Sequence, residues 1–264
     1  MSNELKEEFF FDAQKNFKEY SRVTQELLSD RETIGALRDS IDFVAKSIIT
    51  LYAKYPDTEF VFVVGGKSCR VSELLLNKVA KILPKNHPAR QDIEERIHLD
   101  DRENKHLYGE KTSANENDRQ SYIPKKMLTV SNVSRKMQFI ICDDNMQTGR
   151  KAFYTLDKLG EANIAAWYIV FSGPQQFMSR HDNLRPDNWR TYENRIIVGT
   201  RNEKATKVLD YISILLSGYV NVRLHQNLNY KGEIIPTTID TIGDDFTHSF
   251  ITMLQLMRKM KSLL

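Results

Sequence analysis

Two acidic residues, Asp143 and Asp144, directly follow an apolar run, and Thr148-Gly149 comes after three further residues. Adjacent carboxylates at a strand end are well placed to accept hydrogen bonds from neutral hydroxyls or to hold a hydrated divalent cation. A helix is predicted after the turn, and the N–H groups and partial positive charge of a helix N-terminus favour phosphate. The stretch therefore suits a sugar phosphate; the alternative is an acidic pair that caps the helix and binds no ligand.

The residues around the Thr-Gly pair add further groups that could bind phosphate. Thr148 can donate its hydroxyl, and Gly149 allows the backbone to approach a ligand closely. Arg150 and Lys151 bring positive charge to the same turn.

A second loop, GGKSCR, follows another apolar run. Gly65 and Gly66 permit backbone conformations that are closed to other residues, and N–H groups in such a turn can form a concave anion site. Lys67 and Arg70 add positive charge. The alternative is an ordinary strand-to-helix turn with exposed basic residues.

The apolar pattern predicts the elements that position these loops. A stripe from Ile34 to Leu51 recurs at three- and four-residue steps and predicts an amphipathic helix. Another helix is predicted after the glycine loop, with Ser72 as its N-cap. Strands and helices alternate, which indicates an α/β fold with a mainly parallel twisted sheet flanked by helices. The predicted strands are EFVFVV, MQFIICDD, IAAWYIVFSG and NRIIVGT, with a short strand in RIHLDD.

Both loops follow strands of this predicted sheet. In open parallel sheets, ligands bind beyond the carboxyl ends of the strands, at the crevice where the strand order reverses. We therefore expect the two loops to open at the same edge of the sheet.

The run FIICDDNMQTGRKA resembles the phosphoribosyl pyrophosphate (PRPP) signature of the type I phosphoribosyltransferase (PRTase) family. That signature has four apolar residues, two acidic residues, a short small or apolar stretch, and then Thr-Gly. FVFVVGGKSCRVSELL is similar to the first strand and pyrophosphate loop of the family. The resemblance covers roughly Ile34 to Gly173 and implies a Rossmann-like core of the type I PRTase kind.

The resemblance also implies roles for individual residues. Asp143 and Asp144 would bind the ribose hydroxyls of PRPP as catalytic residues, and they would hold Mg²⁺ indirectly, through the pyrophosphate and ribose that it bridges. The cradle of the 5-phosphate would comprise Asn145, Met146, Gln147, Thr148, Gly149, Arg150 and Lys151. The pyrophosphate loop would comprise Gly65, Gly66, Lys67, Ser68 and Arg70.

The base-recognition residues of the family lie after the next strand, where this chain has Phe171, Ser172 and Gly173. These residues would form either one wall of a base site or ordinary core and turn. Asn145, Gln147 and Lys151 depart from the family pattern. We expect these departures to affect catalytic turnover more than ligand binding.

The pattern divides the chain into three regions. Residues 1–33 are predicted to form a helical extension, residues 34–200 a PRTase-like α/β core, and residues 201–264 a helical and mixed region packed on the core. A polar segment at about 102–126 lies where the family carries its flexible catalytic loop. A plain disordered insertion is the alternative for that segment.

Two functions follow from these features. The first is an enzyme that transfers phosphoribosyl from PRPP to a nitrogenous base or related acceptor and releases pyrophosphate. The alternative is a catalytically weak or inactive PRTase-fold regulator that senses PRPP or a nucleotide and acts through a protein or nucleic-acid partner. A third function, hydrolysis by the acidic pair with a metal, agrees less well with a Thr-Gly turn that opens a helix.

Composition limits these functions further. The chain has 264 residues and a formal net charge of +3, which permits anionic ligands without arguing for nucleic acid. Its two cysteines form no CxxC pattern, so a disulfide framework or a zinc site is not expected. The sequence shows neither a secretory signal nor a segment of membrane-spanning length. We predict a cytoplasmic protein with no membrane partner; a homodimer or another protein partner stays open.

Overall fold

The computed structural model describes residues 18–64, 69–98, 136–146, 149–173, 187–225 and 243–264. The helices in these ranges are α1 (residues 18–27), α2 (Arg31–Lys54), α3 (Cys69–Ile82), α4 (Ala89–Glu94), α5 (Arg150–Glu161), α6 (Trp189–Glu193), α7 (Glu203–His225) and α8 (Gly243–Leu263). The strands are β1 (Glu59–Val64), β2 (Ile97–His98), β3 (Met137–Asn145), β4 (Ala165–Ser172) and β5 (Ile196–Thr200). The predicted loop at 102–126 lies outside the described residues.

The strands form one five-stranded parallel sheet with the order β2-β1-β3-β4-β5. This confirms the predicted α/β fold with a parallel sheet flanked by helices. Strand β1 has β2 on one side and β3 on the other. From β3 the sheet continues through β4 to β5. The strand order therefore reverses between β1 and β3, as in Rossmann-like folds.

Each face of the sheet has its own apolar core, because successive strand residues point to opposite faces. On one face, Ile140 and Phe171 pack with residues of α2, α3, α4, α7 and α8. On the other face, Phe139 and Tyr168 pack against α5 and α6. The sheet is thus covered on both faces, as an all-parallel sheet requires.

Helix α2 has a capped N-terminus and a buried apolar stripe, and its sequence explains both. Its N-cap, Asp30, accepts hydrogen bonds from the backbone N–H of Glu32 at 3.2 Å and from the Thr33 hydroxyl at 2.9 Å, which satisfies groups that a helix start leaves unpaired. The predicted stripe from Ile34 to Leu51 is buried against the sheet, as expected.

Helix α3 begins earlier than the sequence predicts. Its first residue is Cys69, so Ser72 is inside the helix and the prediction that Ser72 is the N-cap was wrong. The Ser72 side chain is buried, and its hydroxyl has no hydrogen-bond partner in the described part of the chain.

The described parts of the N- and C-terminal regions pack on the same core. Leu28, which follows α1, and Met253 and Met260 of α8 are buried in the cluster that covers the α2 face of the sheet. In the described ranges, no helix combines the length and apolar character needed to cross a bilayer.

The first testable prediction concerns Gly199 of β5, where the strand approaches α2 closely. A Cβ at this position would lie 2.9 Å from the Phe171 carbonyl oxygen and would collide with the Ser40 hydroxyl, which donates to that oxygen. We expect Gly199→Ala to lower the free energy of unfolding by about 2 kcal/mol through overpacking. Urea denaturation followed by circular dichroism measures this change.

Gly35→Ala is the matched control, since a Cβ at Gly35 of α2 meets nothing within 4 Å. It should raise the unfolding free energy by about 0.5–1 kcal/mol, because alanine has the higher helix propensity. Equal effects of the two substitutions would contradict the close packing of β5 against α2.

Candidate functional site

The candidate site lies at the carboxyl edge of the sheet, between β1 and β3. Val64, the last residue of β1, pairs in register with Cys142 of β3. On the other side, Asp143 pairs in register with Val170 of β4. The acidic pair therefore lies one step beyond the end of β1, at the point where the strand order reverses. This edge is where open α/β sheets bind ligands.

Asp143 is held by two hydrogen bonds and is only 7% exposed. The Tyr168 hydroxyl of β4 donates to Oδ2 over 2.8 Å, and the backbone N–H of Asp144 donates to Oδ1 over 3.2 Å. Both oxygens of this carboxylate thus have a partner within the chain. These bonds offset the loss of solvation on burial and fix the orientation of the side chain.

Asp144 faces the opposite side of the sheet and is 1% exposed. Its Oδ2 accepts a hydrogen bond from the Ser213 hydroxyl of α7. The two side chains therefore leave β3 on opposite sides, because neighbouring residues of a strand point to opposite faces. The sequence predicts that the acids are adjacent; the structure adds that each has a different set of neighbours.

The next two residues connect the acidic pair to other elements. The Asn145 side-chain amide donates to Asp210 of α7 over 3.2 Å. The backbone N–H of Met146 donates to the Ser172 carbonyl oxygen over 3.0 Å, and the Met146 side chain is buried in the core on the α5 face. Both residues were predicted to cradle phosphate, and in the structure their side chains contact protein groups.

Gly149 directly precedes α5 and has φ 73° and ψ −5°. This left-handed conformation is readily open to glycine and strained for most other residues. Gln147 and Thr148 lie outside the described residues, as do the side chains of Arg150 and Lys151. The structure therefore places the start of α5 next to the acidic strand without describing those four groups.

The predicted pyrophosphate loop follows β1 at the same edge. Gly65, Gly66, Lys67 and Ser68 lie outside the described residues. Arg70 lies in the first turn of α3 and is exposed. The structure thus brings the end of β1 beside the acidic strand, as predicted, and leaves the loop conformation undescribed.

The three residues considered for a base site have different surroundings. Phe171 is fully buried in the core on the α2 face, which agrees with the core alternative. Ser172 is also buried, and its hydroxyl has no hydrogen-bond partner among the described residues. Gly173 is buried and donates its N–H to the Thr200 carbonyl oxygen at 3.0 Å. Because buried polar groups are almost always satisfied, the Ser172 hydroxyl is a candidate contact for a ligand or a water.

Cys142 directly precedes the acidic pair and is buried. Burial raises the pKa of its thiol well above the ordinary value, and the negative charge of Asp143 raises it further. Cys142 therefore stays a neutral thiol near pH 7 and is not an activated nucleophile.

Three residues that hold the acidic strand were not identified from the sequence. They are Tyr168, Asp210 and Ser213. A weak signal existed for Tyr168, since a tyrosine in a buried strand usually finds a hydrogen-bond partner for its hydroxyl. Asp210 and Ser213 are polar residues in a helix whose neighbouring positions are apolar, a pattern that could have marked a polar contact.

A divalent metal requires a suitable donor set. The described residues contain no group of three His, Cys, Asp or Glu side chains that could hold a metal ion. Mg²⁺ in phosphate sites is commonly held by one or two carboxylates together with phosphate oxygens and waters. Asp143 and Asp144 supply donors of that type.

A separate cleft of about 240 Å³ lies at the opposite, amino edge of the sheet. It is lined by Lys54, Tyr55, Gln138, Ala165, Trp167, Thr191, Asn194 and Arg195. Because it lies at the amino ends of β3 and β4, it is not part of the site around the acidic pair.

Comparison of the chain with protein-family models, with curated proteins and with solved structures finds no significant match. The interpretation of the site therefore depends on the residues and their geometry.

The second testable prediction concerns the bond between Tyr168 and Asp143. Tyr168→Phe removes a hydroxyl donor from a buried carboxylate, and we expect the free energy of unfolding to fall by about 1.5–3 kcal/mol. Tyr55→Phe, at the amino edge, is the matched control and should change it by less than about 0.5 kcal/mol. Chemical denaturation at pH 7 compares the two; a Tyr168→Phe variant as stable as the wild type would contradict a structural role for this bond.

Proposed function

We propose that the protein binds PRPP at the carboxyl edge of the sheet, in the manner of a type I PRTase. The observation that carries this proposal is the position of Asp143 and Asp144. The pair lies near the end of the central strand β3, beside the reversal of strand order and shortly before the start of α5. A ribose phosphate needs acceptors for its hydroxyls and donors for its phosphate, and this edge provides both within one short segment.

The phosphate would bind at the start of α5. Gly149 adopts the left-handed conformation immediately before the helix. Because glycine has no side chain, a ligand could approach the backbone closely at this residue. The first N–H groups of a helix lack intrahelical partners, and they can donate to phosphate oxygens. Thr148, Arg150 and Lys151 would add a hydroxyl and two positive charges, as the resemblance to the PRTase signature implies.

The ribose would bind through the carboxylates of the acidic pair. A carboxylate can accept more than one hydrogen bond at each oxygen, so the Asp143 oxygens, which already have protein partners, can also accept a ligand hydroxyl. The bond from Tyr168 holds Asp143 in one orientation. Such fixed acceptors lower the cost of ordering the site when a sugar binds.

Mg²⁺ would enter with the ligand, and Asp143 and Asp144 would hold it indirectly, as the resemblance implies. Gly65, Gly66, Lys67, Ser68 and Arg70 would bind the pyrophosphate, as the resemblance implies. When bound, the metal supplies charge neutralisation for the departing pyrophosphate. The residues of the chain would position the ribose, stabilise positive charge at the anomeric carbon and exclude water while a nitrogenous acceptor attacks.

The second candidate function is a PRTase-fold regulator that binds PRPP or a nucleotide with little or no turnover. The specific observation in its favour is that groups expected to face the ligand have partners within the protein. Asp143 accepts a hydrogen bond from Tyr168, and Asp144 accepts one from Ser213. The Asn145 side chain donates a hydrogen bond to Asp210. An arrangement that links ligand-binding groups to α7 suits communication with a partner surface as well as it suits catalysis.

Calorimetric titration with Mg²⁺ and PRPP tests the proposal. We expect the wild type to bind, and Asp143→Asn and Asp144→Asn each to weaken binding by about 10- to 100-fold, the typical value of a hydrogen bond to a charged group. Asp39→Asn, an exposed change on α2, is the matched control and should bind like the wild type. Thermal melts of each variant verify that it is folded.

The contradicting outcomes are specific. No heat of binding for the folded wild type would remove the enzyme and the PRPP-sensing form of the regulator, since each requires PRPP at this edge. Equal affinity of the wild type and both acidic-pair variants would place the ligand elsewhere. Among binders, pyrophosphate release with any of a panel of nitrogenous bases identifies the enzyme, and binding without release identifies the regulator.

A further inference from the structure

Helix α7 contacts the acidic strand through two polar residues on one helical face. Asp210 accepts a hydrogen bond from Asn145, and Ser213 donates one to Asp144. Residues three positions apart lie one above the other on a helix, so these two contacts form a single polar patch. The residues around it, Ala205, Val208, Leu209, Ile212 and Leu215, are buried and apolar.

The hydrogen bond from Ser213 matters because it reaches a buried carboxylate. Asp144 is 1% exposed, and a carboxylate removed from water needs hydrogen-bond donors in its place. The Ser213 hydroxyl supplies a donor of the same chemical type as a sugar hydroxyl. Ligand and helix would thus use the same kind of hydrogen bond to the same side chain.

The other side of α7 reaches the N-terminal helices. The rings of Tyr211 and Tyr20 of α1 pack with centroids 4.6 Å apart. Lys204 near the start of α7 bridges Asp30 and Glu32, at 2.9 and 2.6 Å. A change in how α7 sits against β3 would therefore alter contacts with α1 and with the start of α2.

We propose that Ser213 is a resident competitor for the ligand hydroxyl on Asp144, so that sugar binding at the acidic pair is coupled to the packing of α7. This inference depends on the proposed PRPP-binding function and adds a means of regulation to the same site. Because Asp144 is 1% exposed and its Oδ2 is covered by Ser213, a ribose hydroxyl would reach this carboxylate by taking the place of the Ser213 hydroxyl. By linkage, anything that holds α7 against β3 weakens ligand binding, and ligand binding loosens α7.

The test compares the affinity of the wild type and Ser213→Ala for Mg²⁺ and PRPP by calorimetry. We expect Ser213→Ala to bind about tenfold more tightly, because the ligand no longer displaces a charge-assisted hydrogen bond. Simple damage to the site would weaken binding, so tighter binding is a signature that a merely structural serine would not give. Ser47→Ala is the matched control, since the Ser47 hydroxyl bonds only its own helix at Phe43, and its affinity should equal that of the wild type.

Hydrogen exchange supplies the second readout. In the wild type, PRPP should increase exchange of the α7 amides around Asp210 to Ser213, and in Ser213→Ala the ligand should leave that exchange unchanged. If Ser213→Ala binds PRPP equally or more weakly while Asp144→Asn loses binding, the competition by Ser213 is wrong and the proposed function stands. If the wild type does not bind PRPP at all, the proposed function fails and this inference fails with it.

Discussion

Two neighbouring carboxylates buried at the end of the central strand impose the main constraint on this structure. An unpaired charge in a protein interior costs several kcal/mol, and two adjacent ones also repel each other. The strand reduces both problems by directing Asp143 and Asp144 to opposite faces, where each meets its own hydroxyl donor. Those donors come from β4 and α7, so the acidic pair helps to determine how both elements pack.

The burial of the acidic pair constrains the positions of β4 and α7. Tyr168 must lie beside Asp143, and the register that pairs Asp143 with Val170 of β4 brings it there. Ser213 must lie over Asp144, which requires α7 to cross the sheet face that α2 also covers. The switch in strand order and the left-handed Gly149 lie at the same edge of the sheet as the acids. Stability and the proposed binding function thus depend on the same few side chains.

Local patterns predicted the features that local physics determines. The apolar runs predicted the strands, and the stripe from Ile34 to Leu51 predicted the long helix. The partners of the acids were beyond prediction, because Tyr168 and Ser213 are 25 and 69 residues away from them in the chain and only the tertiary fold brings them close. The start of α3 was missed for a different reason. Serine at position 72 is a suitable N-cap by type, but residue type alone does not fix where a helix begins.

The central claim is that the acidic pair recognises the hydroxyls of a ribose phosphate. Its most direct test compares the affinity of the protein for ribose 5-phosphate and for 2-deoxyribose 5-phosphate by calorimetry. The two ligands share the phosphate and differ by one hydroxyl, so the account predicts that the deoxy sugar binds about 10- to 100-fold more weakly, as expected for a lost hydrogen bond to a buried carboxylate. Equal affinities would contradict the account, because they would show that the acidic pair does not recognise the 2-hydroxyl by which the two sugars differ.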